Sequence, residues 1–305
     1  MDLLVLYGSK VQNLLAKQLK KISTNLPMAI ITLTTDFGEK DHFVGAIKGA
    51  IYSEQPEVEI VDISHSISPF SILEAAYIIQ NVYSSFPKGT IHIIGIDSEL
   101  NQENKHIVVK LDDHYFVCAN NGIMSMICAE IAPEKIVEIN IHDKIETSFP
   151  VLDVFVKVAS HISRGGTLEV IGKPIDSIKP IKNLIPFVNA EKNQIIGSII
   201  YIDNYGNVVT NIKKKFFEDI QKGRAYEISA RNYKFKTIHS KYSDIVNFDL
   251  EEDKRNDEGK KLVVFNSSKY LEIAIYKSNS TTVGSASTLM GLTMMDTVTI
   301  NFLND

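Results

Sequence analysis

Long apolar runs are missing from this 305-residue chain, and no stretch reaches the roughly 20 residues a membrane-spanning helix needs. An excess of positive charge is missing too. With 32 Lys and Arg against 37 Asp and Glu, the formal net charge is −5. That argues against broad, sequence-independent nucleic-acid binding, which needs clustered cations to neutralise phosphates. Cysteine is scarce. Cys118 and Cys128 stand in apolar surroundings and read as buried hydrophobes, with no disulfide framework around them. The expected compartment is therefore reducing, with the cytoplasm as default. The eight histidines are scattered without H-x-x-x-H or H-E-x-x-H spacing, so no metal site is expected. Neither the G-x-G-x-x-G fingerprint nor the Walker pattern occurs, which weakens the ordinary dinucleotide and nucleoside-triphosphate readings.

What is present is the balance of a soluble protein, 44% hydrophobic and 23% charged, in a chain long enough for two domains. Residues 1–27 differ from the rest. Leu3, Leu4, Leu6, Leu14, Leu15 and Leu19 alternate with Lys10, Lys17, Lys20 and Lys21, as in a basic amphipathic helix. This segment reads as an N-terminal extension without a catalytic role. From Met28 to Gly172 strand and helix patterns alternate, which implies an α/β domain with helices on a largely parallel sheet. Residues 173–194 hold Pro174, Pro180 and Pro186 and read as a linker. Residues 195–305 carry short runs rich in Ile, Val, Tyr and Thr, separated by turns and almost free of helix patterns. An antiparallel β-barrel or sandwich fits them.

In open α/β sheets, ligands bind beyond the carboxyl ends of the strands. Here those ends are polar: Thr34-Thr35-Asp36, Asp62-Ile63-Ser64-His65, Asp97-Ser98-Glu99 and Asn120-Asn121-Gly122. Acids and amides on one rim suit a polyhydroxylated or cationic small molecule rather than a phosphate. Each of them also serves as an ordinary helix cap or turn residue. His65, for its part, reads more readily as a capping or buried histidine than as a ligand-facing one. In the second domain Asn204-Tyr205-Gly206-Asn207, set between two β runs, reads on composition as a hairpin turn.

Taken in order, these segments resemble the S-adenosylmethionine hydroxide adenosyltransferase family, which also contains fluorinases and chlorinases. The likeness runs from Met28 to the C-terminus. It is carried by Leu33-Thr-Thr-Asp-Phe-Gly38, Asp41, Val44-Gly-Ala-Ile-Lys-Gly49, Val61-Asp-Ile-Ser-His-Ser-Ile-Ser-Pro69, Phe86-Pro-Lys-Gly-Thr90, Asn121-Gly122 and Ile202-Asp-Asn-Tyr-Gly-Asn-Val-Val-Thr-Asn-Ile212. The resemblance implies a role for each matching position. Asp36 would hold the ribose diol and Phe70 would wall the pocket near the reacting carbon. Asp203 would pair with the methionine ammonium, Asn207 would read the adenine edge and Tyr242 would stack on the base. Ser267 would meet the methionine carboxylate, and Tyr205 and Ser268 beside these positions are counted with the binding set. It also implies a homotrimer whose sites lie between the N-terminal domain of one subunit and the C-terminal domain of the next. No cofactor is implied; S-adenosylmethionine is the substrate, with adenosine and methionine as products.

The activating positions depart from the family pattern. Asp97 matches the water-activating acid, but Asn104 stands where the hydroxide users carry Arg, with Lys105 and His106 beside it. Pro150 occupies the position of their His and Leu152 that of a further Arg; Ser98-Glu99 replaces Pro-Gly and Asn120 replaces an Asp. Asp97 is not the halide users' tyrosine, nor Val151 the fluorinase serine. Three readings follow: hydrolysis, with Asp97 orienting water and Lys105 or His106 supplying the lost cation; non-catalytic binding of S-adenosylmethionine or adenosine; and transfer to another nucleophile such as halide.

Overall fold

The apolar, β-branched run Ile30–Thr35 forms a strand, β1, in which Ile31 and Leu33 have no exposed surface. In the computed structural model, residues 29–141, 147–181, 185–255 and 257–303 are described. The N-terminal extension lies outside them. The chain folds as two compact units. One takes the described residues up to Phe70, Ser85–Asn121 and Ile131–Ser177; the other takes Ser71–Ser84, Gly122–Glu130 and Ile178 onward.

The first unit is built on a seven-stranded sheet. Its strands are β1, β2 (Glu59–Ser64), β3 (Ile91–Gly95), β4 (His106–Leu111), β5 (His114–Ala119), β6 (Lys135–Ile139) and β7 (Gly172–Pro174), in the order β2-β1-β3-β5-β4-β6-β7. Pairing is parallel from β2 through β5 and antiparallel from β5 through β7, so the sheet is mixed. The antiparallel part follows from local sequence: Asp112 and Asp113, both left-handed, close a two-residue hairpin between β4 and β5. Helix α1 (Phe43–Glu54) and a helical stretch beginning with the π turn Val151–Phe155 and continuing as Val156–Ser163 pack together and against the sheet. Ile47 and Ile51 from α1 meet Phe155 and Val158 over Ile31, Leu33 and Ile93, all without exposed surface. Each such side chain contributes roughly 1.5–3 kcal/mol on burial.

Alternation along β1 and β3 turns Thr32 and His92 to the opposite face, where the two residues are register partners. Thr32 Oγ1 lies 2.7 Å from His92 Nδ1, and His92 Nε2 lies 3.2 Å from His114 Nδ1. Phe116 stacks on the His92 ring at 4.8 Å. Burial lowers His92 to about 3, helped by His114, so the imidazole is neutral.

The second unit is an eight-stranded antiparallel sheet. It comprises β8 (Phe187–Val188), β9 (Gln194–Ile202), β10 (Val208–Lys213), β11 (Tyr226–Ala230), β12 (Tyr233–Phe235), β13 (Lys261–Phe265), β14 (Tyr270–Ile275) and β15 (Thr297–Phe302). The order is β12-β11-β15-β9-β10-β14-β13, with β8 added along β9. Ile195, Ile199, Val208, Ile212, Ile273 and Ile300 form its core without exposed surface. Two short segments remote in sequence join this unit. They are α2 (Ile72–Val82), capped by the Ser71 hydroxyl accepting from Glu74 N–H with Glu74 in its first turn, and α3 (Ile123–Ile127). Tyr77 of α2 stacks on Tyr201 of β9, ring centres 4.5 Å apart.

Candidate functional site

In the first unit the parallel strands end on one rim, and two carboxylates meet there. β1 runs straight into Asp36, and β3 ends at Gly95 two residues before Asp97. Asp36 accepts a hydrogen bond from the Phe70 amide at 2.8 Å. Burial raises its pKa, the Phe70 amide pulls it back, and the negative charge of Asp97 adds to the rise. The two acids are therefore electrostatic neighbours. Phe70 and Asp97 both take left-handed backbone angles, φ 62° and 42°, which is strained for residues other than Gly. The Phe70 ring is 72% exposed.

The loop carrying Asp36 is braced from below. Thr35 Oγ1 lies 2.8 Å from His65 Nδ1, and the His65 carbonyl accepts from Gly38 N–H at 2.8 Å. His65 is buried, as its sequence context anticipated, and its Nε2 lies 3.1 Å from Asp62 Oδ1 at ion-pair range, off the hydrogen-bond axis. Burial opposes the charge on Asp62, but Lys48 and His65 outweigh it and hold the carboxyl below its ordinary range. Gly95 is closely approached: a Cβ there would sit 3.1 Å from methyls of Thr35 and Val151 and 3.3 Å from the Phe37 ring. Val151 is fully buried, so the Pro150-Val151 segment forms an apolar wall behind this rim.

The loop after Asp97 is held by neutral groups. Asn104 donates to Asp97 Oδ2 at 3.3 Å, and Asn121 donates to the Ile96 carbonyl at 2.9 Å. Lys105 is exposed. His106 has no exposed surface; its Nε2 lies 2.9 Å from the Ser98 carbonyl and its ring meets Phe155 edge-on at 4.8 Å. It thus braces the strand end that carries Asp97.

In the second unit the turn between β9 and β10 is organised by Asp203. Its Oδ1 accepts the amides of Tyr205 and Asn207 at 2.9 and 2.8 Å, and its Oδ2 accepts Asn207 Nδ2 at 3.0 Å. The turn is thus more than a simple hairpin. Gly206 is left-handed at φ 76°, and a Cβ there would fall 2.1 Å from Ser285 Oγ, so no other residue fits. Burial raises Asp203, and the hydrogen bonds from the turn, those of Asn207 foremost, pull it back. Asn207 is 6% exposed, and its Oδ1 has no hydrogen-bond partner among the described residues. Tyr205 is exposed.

Tyr242 starts a short 3-10 turn, and its hydroxyl donates to Glu272 Oε1 at 2.7 Å. Ser267 and Ser268 lie on the tight turn between β13 and β14, whose Ser268 and Tyr270 amides both donate to Asn266 Oδ1 at 3.1 Å. The eleven binding and activating positions thus fall into two groups, one per unit. Asp36, Phe70, Asp97, Lys105 and His106 belong to the first; Asp203, Tyr205, Asn207, Tyr242, Ser267 and Ser268 belong to the second. Sequence reasoning passed over Glu272, an acid inside the otherwise apolar strand Leu271–Ile275, and Asn266 just before the serines. A cavity of about 590 Å³ in the second unit, lined among others by Leu73, Ile200, Phe216 and Lys213, holds none of the ligand positions named above. Among the described residues no His, Cys, Asp and Glu cluster suits a metal ion, and no helix is long and apolar enough to cross a membrane.

Comparison with known proteins gives this arrangement a context. The profile of the SAM hydroxide adenosyltransferase N-terminal domain matches residues 31–172, and that of the corresponding C-terminal domain matches residues 197–299. An (R)-S-adenosyl-L-methionine hydrolase of Methanocaldococcus jannaschii is 28% identical over 283 residues, 89% of this chain and 95% of that protein. A fluorinase of Nocardia brasiliensis is 23% identical over 231 residues, 66% of this chain and 77% of its own. A crystal structure of an uncharacterised conserved protein from Thermotoga maritima superposes with a TM-score of 0.73 at 27% identity, covering 90% of this chain and all of that one.

Proposed function

We propose, from the premise that this chain belongs to the S-adenosylmethionine hydroxide adenosyltransferase family, that it hydrolyses S-adenosylmethionine to adenosine and methionine. Four relatives are named hydrolases of the (R) form, so that sulfonium configuration is the first to test. The observation that carries the reading is the placement of Asp36 and Asp97 on one strand rim, close enough for the charge of Asp97 to be felt at Asp36.

The chemistry runs as an in-line displacement. Water attacks the ribose C5′ carbon, the C5′–S bond breaks, and its electron pair returns to sulfur as the neutral thioether of methionine. The proton lost by water passes to Asp97, whose carboxylate is steered by Asn104. Asp36 accepts from the ribose hydroxyls, a fit for a carboxylate facing a vicinal diol. The sulfonium needs no protonation to leave, so positioning and removal of bulk water supply most of the acceleration. The buried Val151 beside Gly95 serves that exclusion. Asp203 pairs with the methionine ammonium, Asn207 reads adenine, Tyr242 stacks on it, and Ser267 and Ser268 meet the methionine carboxylate.

Each site is completed by a neighbouring subunit in a homotrimer, a reading supported by the family and by the exposed rings of Phe70, Tyr205 and Tyr242. Cys118 and Cys128 form no disulfide with each other, in keeping with a reducing compartment such as the cytoplasm. Incubation of the protein with S-adenosylmethionine should release adenosine and methionine in equal amounts, and Asp97→Asn should abolish release while ligand still binds. A wild-type protein that binds without turnover sinks the hydrolase reading in favour of a binding protein. The apolar Val151 wall supports a second reading, transfer to a weakly hydrated anion, for which a halide-dependent 5′-substituted adenosine is the signature.

A further inference from the structure

Glu272 lies on β14, 2% exposed, in a strand that is otherwise apolar. Its Oε1 accepts from the Tyr242 hydroxyl at 2.7 Å and its Oε2 from Asn266 Nδ2 at 3.1 Å. The same Asn266 amide reaches the Tyr77 hydroxyl at 3.2 Å, and its Oδ1 holds the turn bearing Ser267 and Ser268. One buried carboxylate therefore ties together the segments that carry three positions of the binding set. Asp203, half-buried on the neighbouring β9–β10 turn, is felt electrostatically at both Glu272 and Tyr242.

What is missing around this pair is a counter-charge. Among the described residues no Lys, Arg or His lies within ion-pair distance of Asp203 or Glu272, although the chain forms ion pairs freely elsewhere. Two nearby carboxylates in a desolvated setting destabilise each other unless a cation joins them. Beside them Asn207, more than nine-tenths buried, has its Nδ2 on Asp203 and an Oδ1 without a hydrogen-bond partner among the described residues. A buried acceptor in that state marks a place where a ligand donor belongs.

We infer that Glu272 is a specificity-determining residue: with Asp203 it forms a dianionic, cation-free pocket wall that selects the positively charged sulfonium ligand over its neutral thioether counterpart. The inference rests on the adenosyl reading above and deepens it. Asp203 answers the ammonium, which both ligands carry. Glu272 adds the negative charge that the sulfonium requires, acting through space. Displacement at C5′ converts the sulfonium to a thioether, so the reaction removes the charge that Glu272 favours and loosens the products.

The test compares S-adenosylmethionine with S-adenosylhomocysteine, which lacks one methyl group and one positive charge, by titration calorimetry on the full-length protein. Glu272→Gln is the main variant, because the amide keeps the volume and can bond both Tyr242 and Asn266 while removing the charge. The expected result is a roughly five- to twentyfold weaker Kd for S-adenosylmethionine with S-adenosylhomocysteine unchanged within twofold. Tyr242→Phe, which breaks the bond and keeps the carboxylate, should preserve the preference for the sulfonium. Equal weakening of both ligands in Glu272→Gln, or no weakening of either, overturns the inference and leaves the adenosyl reading standing. Failure of the wild-type protein to bind either ligand overturns both.

Discussion

His92 offers the sharpest quantitative prediction in the fold. An imidazole ordinarily titrates near 6.5, whereas burial lowers this one to about 3, against Thr32, Phe116 and the neighbouring His114. The folded chain therefore keeps His92 neutral across a range in which the unfolded chain protonates it. Stability from this residue is fully present above pH 6.5 and is lost as pH falls below the unfolded value, because the unfolded state then binds the extra proton. Each full pH unit below the unfolded value costs about 1.4 kcal/mol and the unfolded imidazole is half protonated at pH 6.5, so the drop from pH 6.5 to 4.5 amounts to roughly 2.3 kcal/mol. His114, also lowered by burial, adds to the same slope.

The assay is urea unfolding at pH 7.5, 6.5, 5.5 and 4.5, comparing wild type with His92→Gln. Glutamine can still bond Thr32 but does not titrate. The variant should be less stable at neutral pH and should lose about 2–3 kcal/mol less than wild type between pH 6.5 and 4.5. Carboxylates contribute to both curves and cancel in the difference. Parallel curves would refute the reasoning, and so would a His92 ring resonance that titrates near pH 6 in the folded protein.

Other consequences are more local. Asp36→Asn should raise the KM for S-adenosylmethionine roughly ten- to a hundredfold, the loss of a charge-assisted acceptor for the ribose diol, with little change in thermal stability; steady-state kinetics and a melting curve together check this. Gly206→Ala sets a methyl 2.1 Å from Ser285 Oγ at φ 76°, so it should lower stability by at least about 2 kcal/mol and disturb Asp203. Its Tm and its ligand affinity should fall together. Gly95→Ala crowds Thr35 and Val151 at 3.1 Å, and kcat should fall more than KM rises if that wall aligns the nucleophile.

Much of this was legible in the sequence because short-range chemistry wrote it. Ile30–Thr35 declares a strand, and Asp36 follows from where that strand must stop. The turn Asp203–Asn207 was visible as a turn, yet the way it is held was not, since only the folded chain shows Asp203 collecting three donors. Glu272 was hidden for a related reason. An acid within Leu271–Ile275 looks like the solvent side of a half-exposed strand, whereas the whole strand is buried. Its partners, Tyr242 and Asn266, are 30 and 6 positions away, beyond any periodicity. The membership of Ser71–Ser84 and Gly122–Glu130 in the second unit escaped for the same reason: alternating patterns report local conformation and are blind to which sheet a helix covers.

The rewritten activating positions make physical sense when the demands of the reaction are separated. Holding an adenosyl sulfonium needs fixed acceptors for a diol and for positive charge, and in the proposed reading Asp36 and Asp203, each just past a strand end, and Glu272, within β14, would supply them. Breaking the C5′–S bond needs no acid, because the leaving sulfur departs neutral. Only the nucleophile needs help, and one oriented carboxylate such as Asp97 in a water-poor pocket can give it, typically worth 10²–10⁴ in rate for a positioned base. An Arg and a His would add stabilisation for hydroxide; without them, attack should proceed through water losing its proton in the transition state. The rate should then show a solvent deuterium isotope effect well above one. A rate without an isotope effect would mean that Asp97 takes no proton.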